Sequence, residues 1–390
     1  MILPKLAFRN LLGGGLRTAL NVIVLSFAFV TIVLAQGFIV GMYDQIARNS
    51  IDAEYGGGQI RHPEYDPYDP LTLSDAHGRP PDSVQRLIDG GLAAGVLMVQ
   101  GTMYPGGRVV PIVLKGIAPE QSTIVLPTHV LRSTDGEIAG LIGQRMARNS
   151  GLRKGDFVTV QWRDVNGTYD AHEVRIAEVM ISPAPSVDGG QIWVPLERLQ
   201  EMTRMPGEIT LAIMNADMAT LPPSDGWTAA DLDVLLADIR KIVEIRTVAA
   251  SIFYLILLAL GLLAIFDTQV LSVFRRRREI GTLMALGMTR RAVIRLFTIE
   301  GAFHGVLALL VGALWGGPLL RYLAVSGMPL HYKADDWGYA IGNVLYPAYG
   351  PVLIVSTVVI VMIATTIVSY LPTRGIAKLK PTDALRGRLA

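Results

Sequence analysis

Few residues in this 390-residue chain are placed to move protons or bind metals. Glu300 and His304 stand four apart, so on a helix they share a face. Inside an apolar segment such a pair suits a proton relay or an intramembrane catalytic couple. The competing reading makes Glu300 structural, paired near a membrane interface with Arg295, Arg291 or a partner helix. Asp267 is a third ionisable residue in an apolar run. It is expected to face another helix, a neighbouring subunit or water, with a packing hydrogen bond favoured; Gln269 does not share its face closely. The six histidines are scattered, with no pair at convincing metal-ligand spacing, and no metal is expected. No G-x-x-x-x-G-K-[ST] loop occurs, so no Walker-type phosphate cradle is expected, and neither H-E-x-x-H nor G-x-S-x-G is present. With no cysteine, a disulfide framework and thiolate metal sites are excluded.

The elements that carry these residues are long and apolar. The chain is 51% apolar and 17% charged, where a soluble domain carries about a quarter charged residues. A span needs ~20 mostly apolar residues. Four stretches qualify: 18–43, 247–274, 292–323 and 351–371. The first exceeds the usual ~7–15 residue core of a signal peptide, so it reads as a span rather than a cleaved leader. Lys5, Arg9 and Arg17 precede the first span, seven arginines lie in 275–295, and Arg374, Lys378, Lys380, Arg386 and Arg388 follow the fourth. Only two acids, Glu279 and Asp383, accompany them. The 324–350 loop instead sets Lys333 against Asp335 and Asp336. Positive residues stay on the cytoplasmic side. The 1–17 lead, the 275–291 hinge and the 372–390 tail are therefore expected inside, and the 44–246 segment outside.

That outer segment is long enough for its own core. Turn-rich runs such as Pro63–Pro70 and alternation at Phe157–Trp162 predict a mixed α+β domain. Asp231–Arg246 reads as a helix running into the second span, which would make a rod of ~65 Å from Asp231 to Phe274. Arg61-His62 and the surrounding Tyr/Asp/Pro cluster read as a solvated loop or a partner loop. Met98, Met103, Met180 and Met202 read chiefly as core, with an adaptable groove as the alternative.

The hinge holds Arg275, Arg276, Arg277 and Arg278 at one end and Arg290 and Arg291 at the other. These arginines fix topology and anchor the segment. Between them Ile280, Leu283, Met284 and Gly287 fall on one helical face, and Gly281, Ala285 and Gly287 are small enough for close approach. Residues alone leave two readings open: a helix docked on a cytoplasmic partner, or one lying on anionic headgroups. Gly312 and Gly316, extended upstream by Ala308 and Gly305, make a small-residue run that suits packing within the chain or a dimer seam.

The run Arg277-Arg278-Glu279-Ile280-Gly281-Thr282-Leu283-Met284-Ala285-Leu286-Gly287 resembles the signature of the MacB/FtsX family of ABC transporter permeases. Leu6-Ala7-Phe8-Arg9-Asn10-Leu11 is similar to that family's lead into its first span. Pro372-Thr373-Arg374 and Leu379-Lys380-Pro381-Thr382-Asp383-Ala384-Leu385-Arg386 resemble its tail. One span, a large outer domain and three further spans is also the family's layout. Gly13-Gly14-Gly15 departs from the basic residues often found there, which weakens anchoring of the first helix. Leu141–Asp156 is similar to a segment of lipoprotein-releasing permeases of the LolC/LolE type. This implies a porter-like domain with a β-rich subdomain inserted at about 137–202.

The resemblance further implies that 279–287 couples to a cytoplasmic dimer of ABC ATPases, which holds the ATP and Mg. Through this contact ATPase motion would drive the periplasmic domain. A second copy or paralogue, membrane lipids, and a periplasmic adaptor or lipoprotein carrier are the other implied partners; no nucleic acid is. The implied location is the bacterial inner membrane. Lipoprotein or lipid release is the first expected substrate class, and efflux of a peptide, toxin or drug the alternative. Regulation of a cell-wall hydrolase fits a smaller outer domain. A membrane receptor would need a cytoplasmic signalling domain, and an intramembrane enzyme would need Glu300, His304 or Asp267.

Overall fold

The computed structural model describes residue 7 and residues 15–132, 136–181, 184–218, 221–222, 226–329 and 344–378. Lys5, Arg9, Gly13, Gly14, Lys333, Asp335, Asp336 and the tail from Leu379, with Lys380, Asp383, Arg386 and Arg388, lie outside them. The chain divides into two compact units: a helical one from residues up to 42, 242–328 and 345 onward, and a β-rich one from Tyr43–Lys241 with 329–344.

Four helices of the first unit are long and apolar enough to cross a membrane. They are α1 (Leu16–Ser50), α5 (Ala237–Arg275), α7 (Arg290–Ser326) and α8 (Pro351–Thr373). All four predicted spans fall within them. Each boundary has a local cause. Pro351 sits at the first helical position, where its missing N–H costs nothing. The Thr289 hydroxyl accepts the Ala292 N–H at 3.3 Å to cap α7. The expected helix from Asp231 is broken: a single turn, Leu232–Leu235, is capped by the Asp231 side chain, and the continuous helix starts only at Ala237. Its 39 residues still extend ~58 Å at ~1.5 Å per residue.

The bundle core joins Leu25, Phe29 and Val33 of α1 to Leu258, Leu262 and Ile265 of α5, Ala308 of α7 and Val361 of α8. The small-residue run on α7 lets these helices approach. A Cβ on Gly316 would lie 2.5 Å from Val30 Cγ2, and one on Gly312 would lie 3.1 Å from Phe29. Gly305 packs on Thr365 and Met362 of α8, and Gly301 on Ser369. The run thus serves packing within the chain. Gly316→Leu is expected to lower the melting temperature of the detergent-purified protein, because overpacking typically costs about 1–3 kcal/mol. Its neighbour Gly317 has nothing within 4 Å of an added Cβ, so Gly317→Leu should melt like wild type.

The described residues of the second unit hold a nine-stranded sheet: β1 (Gln59–Arg61), β2 (Ala93–Met103), β3 (Val110–Ile117), β4 (Ile138–Gly143), β5 (Phe157–Arg163), β6 (Tyr169–Met180), β7 (Gln191–Pro195), β8 (Leu211–Met214) and β9 (Thr228–Ala230). The order β3-β7-β4-β6-β5-β2, with β2 also paired to β3, closes a six-stranded barrel. Its interior is Leu97, Leu114, Val160, Trp162, Ile176 and Ile192 with their neighbours. The Trp162 indole N–H donates to the Met202 carbonyl at 2.9 Å, tying α4 (Leu196–Thr203) to the barrel. The first half of β2 turns from the barrel to pair with β8, extending β8-β1-β9 as an antiparallel sheet. Helix α2 (Asp82–Asp89) supplies Val84 to that sheet's core; α3 (Gln144–Ser150) supplies Met146 and Ala147 to the barrel core.

These pairings revise the proposed insertion. Residues 137–202 hold four of the six barrel strands, and β2 and β3 at 93–117 complete it. A boundary at 137 therefore cuts one core in two. Met98, Met103 and Met180 are buried and Met202 packs against the barrel core, in line with the core reading. The Arg61-His62 pair is not a free loop: Arg61 ends β1 half-buried, and His62 meets the Trp227 ring edge-on at 5.4 Å.

Candidate functional site

The basic hinge folds as a helix–turn–helix. At Arg276 the backbone leaves helical geometry (φ −96°, ψ 18°), so α5 stops and α6 (Arg277–Ala285) begins. One side chain holds this break. Arg276 Nε and Nη2 donate to the two Glu279 oxygens at 2.6 Å each, and Nη1 donates to both Glu300 oxygens at 3.0 and 2.9 Å. The guanidinium also lies 4.8 Å from the Phe297 ring centroid. A planar fork with five donors suits two carboxylates at once, which a lysine cannot match. The bonds from Arg276 hold the Glu279 carboxyl below the usual carboxylate range, against the opposing effect of burial. The Arg276 guanidinium is in turn pushed up by Glu279.

The far end of α6 is set by a glycine. Gly287 has φ 97°, a backbone conformation L side chains rarely adopt. Its N–H donates to the Met284 carbonyl at 3.1 Å, and the Met288 N–H to the Leu283 carbonyl at 3.0 Å, the paired bonds of a Schellman stop. Gly287 therefore lies beyond the helix, off the face that a helix running to 291 would give it.

The apolar stripe points into the chain. Ile280 is fully buried with Val273, Val293, Phe297 and Ile376, and Leu283, Met284 and Met288 pack against that cluster half-buried. Gly281 is buried. Arg278, Glu279, Thr282, Ala285, Leu286 and Gly287 are exposed, with Leu286 at 80%. Of the expected coupling residues, Ile280 and Gly281 are thus committed to intramolecular packing. Glu279, Ala285, Leu286 and Gly287 form the available surface. Arg275, Arg278, Arg290 and Arg291 are exposed around it, and Arg277 lies 4.3 Å from the Phe274 ring centroid.

Glu300 is buried, and its hydrogen-bonded cation is Arg276, not the expected Arg291 or Arg295. His304 is buried one turn on. Its Nδ1 lies 3.2 Å from the Glu300 main-chain oxygen, and Nε2 has no partner among the described residues. Glu300 thus carries an ion pair that pins α6 to α7. Asp267 is exposed and makes no hydrogen bond or ion pair among the described residues. The polar residue that packs is Gln269, buried beside Gly301. Among the described residues no group of three or more His, Cys, Asp or Glu could hold a metal.

Sequence reasoning treated the four arginines 275–278 as equivalent. Arg276 stands out by its spacing to Glu279, but the approach of Glu300 and Phe297, and the closure of the cluster by Ile376, needed the fold.

The comparisons with known proteins agree with this architecture. Residues 251–381, which contain α6–α8 and most of α5, match the family model described as FtsX-like permease C-terminal. These residues form an FtsX-like permease domain. Among curated relatives, the chain is 24% identical over 317 residues to the lipoprotein-releasing system transmembrane protein LolC of Xylella fastidiosa (strain Temecula1), covering 73% of this chain and 75% of that one. It is 25% identical over 267 residues to the uncharacterized ABC transporter permease YknZ of Bacillus subtilis, covering 64% and 62%. Over 155 residues it is 27% identical to the macrolide export ATP-binding/permease protein MacB 1 of Yersinia pestis bv. Antiqua, covering 40% and 22%.

Proposed function

We propose that this chain is the membrane subunit of an ATP-driven transporter and that the exposed end of α6 docks onto a cytoplasmic ABC ATPase. The observation that carries this reading is the construction of α6. It is a short helix stopped by a glycine at one end and clamped by Arg276 at the other, leaving Ala285, Leu286 and Gly287 exposed. Such a helix transmits force because it cannot shift without disturbing the buried Arg276–Glu300 pair. The hinge arginines would place α6, both termini and the ATPase on the cytoplasmic side of the inner membrane. The barrel-containing domain would then act outside on cargo that never enters the cytoplasm. Two permease copies, or this chain and a paralogue, would match two ATPases.

Release of a lipoprotein or lipid is the substrate class we favour, because the LolC match spans about three quarters of both chains. Turnover of ATP would belong to the partner, with its Mg.

The test has two parts. Purified with its membrane partners, the chain should bring down a stoichiometric protein carrying a Walker loop, identified by mass spectrometry. In intact spheroplasts a cysteine placed at Tyr169 should react with an impermeant label, and one placed at Leu286 should react only after permeabilisation. The reverse labelling pattern would overturn the assignment.

A further inference from the structure

The β-rich unit contains a cavity of about 290 Å³ that the coupling reading does not use. One wall is a continuous face of five neighbouring strands, β7-β3-β2-β8-β1. The other is residues 54–73. Alternation along the strands explains its chemistry. Ile112, Leu114 and Ile192 fill the barrel, so Lys115 and, on β7, Gln191 and Trp193 must project from its opposite face. Lys115 lies in register with Trp193 and with Met98.

Three features of this cavity point to a ligand. Lys115 is 4% exposed, a burial rare for lysine. It is held by Glu54 at 3.0 Å and by the Trp193 ring at 5.0 Å. Arg61 stacks on Tyr65 at 5.5 Å and spends only its Nε on Gln59, at 2.9 Å. No ion pair to Arg61 occurs among the described residues. Trp193 Nε1 and Gln191 Oε1, two residues apart on one strand face, are buried without hydrogen-bond partners among the described residues. Leaving such groups unmet is costly, and native folds seldom do so.

The free groups are thus one guanidinium fork, one N–H donor and one carbonyl acceptor, beside the apolar Met98. We propose that this cavity binds the carboxyl end of a small acylated peptide. The carboxylate takes the Arg61 fork, as guanidinium–carboxylate pairs do. The adjoining amide accepts from Trp193 Nε1 and donates to Gln191 Oε1. A small apolar side chain covers Met98, and Lys115 stays neutralised by Glu54. The inference stands apart from the coupling reading, since it uses no residue of the hinge.

The experiment is titration calorimetry on the full chain in detergent, with N-acetyl-dialanine and its C-terminal amide as probes. Wild type should bind the free acid saturably and the amide about tenfold more weakly. Arg61→Gln should abolish the preference between the two probes. Trp193→Phe, which keeps the ring but removes the donor, should weaken both about tenfold and keep the preference. Circular dichroism melting separates lost binding from lost folding. No saturable heat in wild type up to about 10 mM, a sign that water alone fills the cavity, would overturn the proposal. So would wild-type affinity in both folded variants.

Discussion

Arg276→Gln is expected to be among the most damaging single substitutions in the helical unit. It removes four hydrogen bonds to two carboxylates, one of them the buried Glu300. Breaking one partner out of a buried ion pair typically costs about 3–5 kcal/mol, because the remaining charge stays desolvated. The melting temperature should fall steeply, and under the proposed function coupling of ATP turnover to transport should be lost. Arg276→Lys should recover only part, since one ammonium cannot fork to Glu279 and Glu300 together. Glu300→Gln alone should be milder, because Arg276 keeps Glu279. The decisive comparison is Arg276→Gln combined with Glu300→Gln. If loss of the Arg276 cation beside the Glu300 charge is the origin of the damage, the double variant melts higher than Arg276→Gln alone; an equal or lower value would assign the damage elsewhere.

The same clamp sets a pH dependence. Glu279 is held below the ordinary carboxylate range by Arg276. A depressed folded-state value means that its stabilisation is complete above that range and lost as pH falls through the lowered value. Wild type and Glu279→Gln should therefore differ in stability at neutral pH and converge once the medium is well below about pH 4.

Under the proposed docking of α6, Leu286→Glu is expected to release the ATPase without unfolding the chain. Leu286 is 80% exposed at the end of α6 and belongs to no buried cluster among the described residues. An exposed leucine beside a turn is a suitable anchor for a groove in a partner, and losing an interface anchor typically costs 2 kcal/mol or more, roughly thirtyfold in affinity. ATPase recovered with the purified permease should drop accordingly, while the melting curve stays that of wild type. Leu283 and Met284 are unsuitable probes, since both already pack on the inner cluster and a charge there would loosen α6 itself. Unchanged ATPase recovery with Leu286→Glu would remove the exposed end of α6 from the interface.

The four long helices were legible because each needs only its own composition: some twenty apolar residues satisfy every backbone bond locally, and no partner is required to recognise them. Phe157–Trp162 was legible as a strand for a similar reason, its two-residue alternation appearing in β5. Closure of the barrel was not, because β2 and β3 lie far in sequence from β4–β7 and pair by register rather than by local pattern. The helix expected from Asp231 shows the opposite failure: its residues suit a helix, yet Asp231 caps a single turn and Leu236 interrupts it.

From residue order alone came the basic hinge, the small faces and the family resemblance, since charge, size and spacing are properties of neighbours along the chain. Which arginine clamps, which face of α6 is already spent, and which buried groups border a cavity were decided by the tertiary structure. Those properties depend on Glu300, Phe297 and Ile376, or on Arg61 and Trp193, meeting across long stretches of sequence, and burial gives each meeting its energy.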